Sequence, residues 1–213
     1  MKKTTKAFLI GALALVLLLP GTSLAKGIKA GFKIGMNNAN LFGEQAKQLE
    51  QDIGYELKSK WGFCAGGFIQ FNLGKVLAIQ PEFQYTMKGA RMKEEILGET
   101  FKLAVDLSFL EVPVLVKFMI PTPGSVKPSL FVGPSIAIKL SAKTKIEYAG
   151  QTDEEDVSDD MEDTEFGLII GGGLDFGKLM FDVRYSLGLS TLSKYEGEEI
   201  KNGVISLKVG FSF

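Results

Sequence analysis

The chain of 213 residues has no histidine, one cysteine and one tryptophan. The usual general base of serine and cysteine hydrolases is therefore missing, and with it the commonest metal ligand. Cys64 cannot form an internal disulfide and has no histidine to activate its thiol, so it reads as a small strand residue. Beyond the first 25 residues no run of about 18 uncharged apolar residues occurs, which excludes transmembrane helices. No dense basic patch with interleaved aromatics is present, which argues against nucleic acid as a partner.

What the chain does have begins with MKKTTKAFLIGALALVLLLPGTSLA, residues 1–25. Lysines at 2, 3 and 6, an apolar stretch from Ala7 to Leu19, Pro20 and the small residues before Lys26 predict a secretory signal peptide cut after Ala25. No cysteine follows the apolar stretch, so a lipoprotein signal is not expected. One domain over residues 26–213 remains. The signal holds three of the 24 basic residues and none of the 25 acidic ones, so the mature chain carries a net charge of −4.

Alternation with period two dominates that domain. Ile28, Ala30, Phe32, Ile34 and Met36 alternate with Lys29, Gly31, Lys33 and Gly35; Leu179, Phe181, Val183, Tyr185 and Leu187 alternate with Met180, Asp182, Arg184, Ser186 and Gly188. Each such segment is a strand with one apolar face and one small or polar face. Eight strands are expected near 27–36, 60–71, 76–88, 105–120, 128–141, 165–176, 179–190 and 203–213. The connections alternate long and short, with 37–59, 89–104, 142–164 and 191–202 long and NLGK, PTPGSVK and GK short. Long strands joined alternately by tight turns and long loops predict an all-β fold: an eight-stranded antiparallel up-and-down transmembrane β-barrel.

In that wall the segment FLEVPVLVKF (109–118) can keep Glu111 and Lys117 out of lipid only by turning them inward. A lysine on the lipid face costs about 2–4 kcal/mol near the bilayer midplane, and an acid somewhat less. Lys33, Glu82, Glu111, Lys117, Asp182, Arg184 and Lys208 are therefore expected to form a mixed ion-pair network in the lumen, with Lys29, Lys139 and Asp175 on the same face. The alternative, in which these charges only avoid lipid and are bridged by water, differs little in geometry. An eight-stranded barrel has room inside for side chains and little else, so no open pore is expected. Pro81, Pro113 and Pro134 each remove a ladder donor, which predicts bulges or local irregularity there. IIGGGLDFG lacks the following helix and Lys-Ser/Thr of a phosphate cradle.

The segments GIKAGFKIGMNNANL, IQPEFQYTMKGA, LEVPVLVKF, LFVGPSIAIKLSA and FGLIIGGGLDFGKLMFDVRYSLGL resemble the outer-membrane β-barrel family commonly labelled porin-family or PorT-like. The resemblance spans nearly all of the mature chain and implies the fold and the outer membrane of a Gram-negative bacterium. It implies neither conduction nor catalytic residues. The terminal SLKVGFSF, with Gly210, Phe211 and Phe213, resembles the C-terminal signal read by the barrel-assembly machinery.

Residues 151–165 hold nine acids and no base: Asp153, Glu154, Glu155, Asp156, Asp159, Asp160, Glu162, Asp163 and Glu165. Like charges in a row repel, so a solvated, mobile loop is expected. Divalent-cation contact, bridging to lipopolysaccharide, is the second possibility, although the spacing matches no EF-hand. In the first long connection Ala46, Leu49, Ile53 and Leu57 fall at helical spacing, which suggests a short amphipathic helix over the barrel mouth.

The expected role is structural or surface-interacting, through external loops, without catalysis or cofactor. Outer-membrane lipid, lipopolysaccharide and the assembly machinery are the expected partners. The alternatives are a lipid-modifying barrel enzyme, a narrow porin for small solutes, and a soluble lipocalin-like carrier. The last would reverse the pattern, with apolar residues inside and charges outside.

Overall fold

A computed structural model describes residues 27–44, 47–48, 51, 58–96, 99–148, 151–195 and 199–213. Nine strands account for most of them: β1 (Ile28–Phe42), β2 (Lys58–Asn72), β3 (Leu77–Ile96), β4 (Glu99–Met119), β5 (Val126–Tyr148), β6 (Gln151–Asp156), β7 (Thr164–Phe176), β8 (Leu179–Gly188) and β9 (Lys201–Ser212). All neighbours pair antiparallel in the order β4-β3-β2-β1-β9-β8-β7-β5, and β4 also pairs with β5. Eight strands thus close into a ring with no free edge, which satisfies the backbone polar groups of the wall internally except where the ladder lapses. The predicted signal peptide lies outside the described residues.

Alternation places the charges inside. Lys33, Glu82, Glu111, Lys117, Lys139, Asp175, Asp182, Arg184 and Lys208 are all buried. The intervening Ile34, Met36, Val114, Val116, Phe118, Leu130, Val132, Val183, Leu207 and Val209 are exposed on the outer wall. An apolar exterior around a charged interior is the reverse of a lipocalin, and it removes the soluble-carrier alternative.

The outer connections differ from expectation. Residues 89–96 and 99–104 continue β3 and β4 as one hairpin, paired through Ile96↔Glu99. Residues 142–148 continue β5, which exchanges its partner: Val126 to Ile138 pair with β7, whereas Lys143 to Tyr148 pair with β6. Two of the four long connections are therefore largely strand, because alternation continues there (Leu103, Val105, Leu107 against Lys102, Ala104, Asp106) once the lipid-facing residues give way to charged ones. In the first connection Glu44, Lys47, Gln48 and Gln51 are helical, and Lys47 N–H donates to the Gly43 carbonyl at 3.2 Å. The apolar residues Ala46, Leu49, Ile53 and Leu57 of the expected helix face lie outside the described residues.

The three strand prolines shift no register. Pairing on either side of Pro81, Pro113 and Pro134 follows one alignment, and the ladder only lapses where the missing N–H falls. Register shifts fall elsewhere, between Ser59 and Cys64 of β2 and between Ser108 and Phe109 of β4. Gly89 lies opposite the first of these, with φ of +137°, and an added Cβ there would stand 2.0 Å from the Val105 carbonyl. Only glycine fits that position.

Candidate functional site

The lumen is filled in layers. Nearest the short turns, Lys117 Nζ donates to both oxygens of Asp175 at 3.0 and 3.2 Å. Above it four residues from three strands meet: Lys33 Nζ reaches Glu82 at 2.9 Å and Asp182 at 2.6 Å, while Arg184 reaches Glu82 at 2.7 Å and Asp182 at 2.6 Å. Each cation touches both anions, which gives two positive and two negative charges in one closed square. Aromatic rings wall the square, with Lys33 Nζ 5.0 Å from the Phe68 ring and Arg184 Cζ 5.2 Å from the Phe131 ring. Phe131 can lie there because Gly171 has no side chain; a Cβ on it would meet the ring at 2.6 Å.

The next layer is mostly amide and hydroxyl. Ser206 donates to Asn37 Oδ1 at 2.8 Å, and Asn37 donates to Thr86 at 2.8 Å. Lys208 donates to the Gln84 amide oxygen, and Gln84 in turn donates to Glu111 at 2.5 Å. Above them Lys88 bridges Glu111 at 3.3 Å and Glu165 at 2.9 Å, and Asn202 donates to Glu165 at 3.1 Å.

All seven expected lumenal residues thus lie inside, in three groups. Glu111 and Arg184 are not partners: Arg184 serves Glu82 and Asp182. Lys208 is held by an amide and, among the described residues, makes no ion pair. Lys88 and Glu165, absent from the expected network, are central to it. Both had a readable signal, since Lys88 continues the series Glu82, Gln84, Thr86, and Glu165 begins the inward series that ends at Asp175.

An apolar cluster lies at the outer mouth. Leu41, Ala90, Leu107, Phe109, Ala137, Ala142 and Leu192 form one buried cluster, against which Val105, Val157, Met161 and Ile200 pack. Val157 and Met161 come from the acidic segment, which is largely exposed but part strand rather than all loop. Within it, β6 pairs with β5, and a 3-10 turn covers Ser158–Asp160. Val157 N–H donates to the Ala142 carbonyl at 3.0 Å. Lys139, buried in the wall, donates to the Ser158 carbonyl at 2.6 Å and to the Met161 carbonyl, and sits 3.2 Å from Asp163.

Local cations offset the acids that were expected to repel each other. Lys143 and Lys145 both pair with Glu154, and hydrogen bonds from them hold its carboxyl below the ordinary glutamate range. Lys139 does the same for Asp163. Tyr195 donates to Asp160 at 2.9 Å. Among the described residues no group of three or more acidic or cysteine side chains is arranged to hold a metal ion.

At the last strand, Phe211 stacks on Phe32 with ring centroids 6.1 Å apart, and Phe213 meets Phe211 edge-on at 6.1 Å. Both lie on the outer wall. Gly210 faces inward opposite Lys33, where a Cβ would stand 2.8 Å from the lysine Cγ.

Several solved structures are similar over most of this chain. The attachment invasion locus protein Ail of Yersinia pestis is 19% identical with a TM-score of 0.46, covering 88% of this chain and all of that one. Neisserial surface protein A is 15% identical with a TM-score of 0.45 and the same coverages. OprG from Pseudomonas aeruginosa is 13% identical with a TM-score of 0.39, covering 87% of this chain and 94% of its own. No curated protein matches. The outer membrane protein beta-barrel domain family matches residues 21–194, most of the closed ring, and the chain belongs to that family, as a barrel of the Gram-negative outer membrane.

Proposed function

We propose that the protein is a closed, non-catalytic surface barrel that acts through the outward face of its external extension on phosphorylated outer-leaflet glycolipid. The observation that carries the reading is the pair of seals in series, ion-paired layers below and the apolar cap of Leu107, Phe109, Leu192, Val157 and Met161 above. They leave the outer surface as the place for interaction. Catalysis is not part of the reading: the chain has no histidine, and its buried carboxylates are engaged by cations.

The extension supplies a surface suited to that role. Register puts Lys58, Arg91, Ala104, Lys145 and Glu154 in one row across five strands, and Lys93, Lys102, Glu147 and Thr152 in the next. Residues directly opposite in a sheet share a face. Ala90, Leu107 and Ala142 point into the mouth, so these rows point outward. Six cations (Lys58, Arg91, Lys93, Lys102, Lys143, Lys145) share that face with five acids (Asp106, Glu147, Glu154, Asp156 and, by its register with Thr100, Glu95), just above the exposed Trp61 and Phe63 of the wall. Such a cluster of cations at the membrane surface fits phosphate-bearing lipid.

The test is lipopolysaccharide retention by the purified barrel. Arg91→Gln, Lys93→Gln and Lys145→Gln together should lower co-purifying lipopolysaccharide several-fold while leaving heat-modifiable gel migration unchanged. Unchanged retention would remove this partner.

A further inference from the structure

The opposite end of the barrel carries a cavity with a charge pattern of its own. Between the two turns that follow β2 and β4 lies an open pocket of about 420 Å³. Lys29, Lys75 and Lys127 line it together with Asn72 and Thr122. It contains no acidic residue. Among the described residues none of the three ammonium groups makes an ion pair. Asp175, the cross-strand neighbour of Lys127, has both oxygens occupied by Lys117.

The polar groups around it are arranged consistently. Asn72 accepts from the Gln70 amide at 2.6 Å, which uses its oxygen and leaves its own N–H groups without a protein partner among the described residues. Gln70 is fully buried beneath, next to Met119 of the pocket wall, and its Oε1 has no partner there. That orphaned oxygen is an acceptor, which water can meet and an anion cannot, so the polar groups that suit an anion here are the lysines and the Asn72 N–H groups. Three lysines and no acidic residue line the concavity, which makes it electropositive and favours an anion.

We propose that this pocket is an anion site on the periplasmic face and takes a phosphoryl group between Lys29, Lys75 and Lys127. Lysines bind phosphate as point charges, and several acceptor oxygens on one phosphorus can engage three of them at once, which a single carboxylate does less well. Two sources supply that chemistry in this place: the headgroup of an anionic phospholipid in the inner leaflet, and a free phosphoanion of the periplasm. Neither belongs to the outer surface discussed above, so the two readings stand or fall separately.

Isothermal titration of the mature barrel in uncharged detergent micelles tests the site. Dihexanoylphosphatidylglycerol, dihexanoylphosphatidylcholine and inorganic phosphate serve as probes. Saturable binding of the anionic lipid alone identifies the headgroup, and binding of inorganic phosphate identifies a free anion. In either case Lys29→Gln, Lys75→Gln and Lys127→Gln combined should weaken binding at least tenfold, with the corresponding arginine triple retaining it. The control Lys102→Gln, Lys143→Gln and Lys145→Gln, at the other end, should leave it unchanged. The proposal is overturned if neither anion binds, or if both triples bind as the parent does.

Discussion

Lys88 and Glu165, 77 residues apart in sequence, meet at 2.9 Å inside the barrel. The same ammonium lies 3.3 Å from Glu111, so one cation on β3 holds together carboxylates from β4 and β7. This joint sits directly beneath the apolar cap, where Lys88 Nζ is 5.1 Å from the Phe109 ring.

Removing one partner of a buried pair leaves the other charge stranded, at about 3–5 kcal/mol for a dry site. Lys88→Met should therefore destabilise the barrel by roughly that amount in a reversible bilayer unfolding assay. Adding Glu111→Gln should recover part of the loss. Arg184→Met and Glu111→Gln, which remove groups that do not touch, should combine additively to within about 0.5 kcal/mol. Strong coupling between Arg184 and Glu111 would contradict the assignment of Arg184 to Glu82 and Asp182.

The wall makes the opposite demand. Leu207 is 54% exposed on the lipid side between inward-facing Ser206 and Lys208. Leu207→Lys should cost about 2–4 kcal/mol if it lies near the midplane, and no lumenal substitution should rescue it. A loss below about 1 kcal/mol in the same assay would place Leu207 near an interface.

The external hairpin should respond to acid. Glu154 is held below its ordinary range by Lys143 and Lys145, so its carboxylate supports the folded hairpin above the unfolded pKa, and that support is lost as pH falls through the lower folded value. The protection factors of the β6 amides, taken relative to intrinsic exchange at each pH, should fall below about pH 4, with the β8 and β9 amides still protected. High salt should speed up β6 exchange at neutral pH as well, because these pairs are exposed. Uniform protection of β6 down to pH 3 would show that backbone pairing alone holds it.

Much of the barrel was legible because alternation is local: a buried charge at every second residue, as at Asp182 and Arg184, fixes which face is inside without knowledge of neighbouring strands. The pairing was not legible, because depth in the lumen depends on strand register. Counting residues from the short turns puts Glu111 and Arg184 at similar depth in the lumen. The shear between strands instead sets Glu111 beside Gln84 and Arg184 beside Gly171. Glu165 carries two signals at once, as the last acid of an acidic run and as the first inward residue of the strand expected from 165, and only the second matches its place in the lumen. The ion pairing of the acidic segment is not legible because its compensating lysines, 139, 143 and 145, come from the preceding strand. The apolar cap was missed for the same reason: Leu41, Leu107 and Leu192 are far apart in sequence.

The central claim is that the lumen is shut by charge pairing below and apolar packing above, and single-barrel conductance in a planar bilayer tests it most directly. The account predicts no resolvable channel openings for the parent protein, nor for Lys139→Ala with Val157→Ser and Met161→Ser, because the ion-paired layers below still shut the lumen when the clamp and two cap residues are removed. Steady ion-conducting steps from the parent barrel would contradict it.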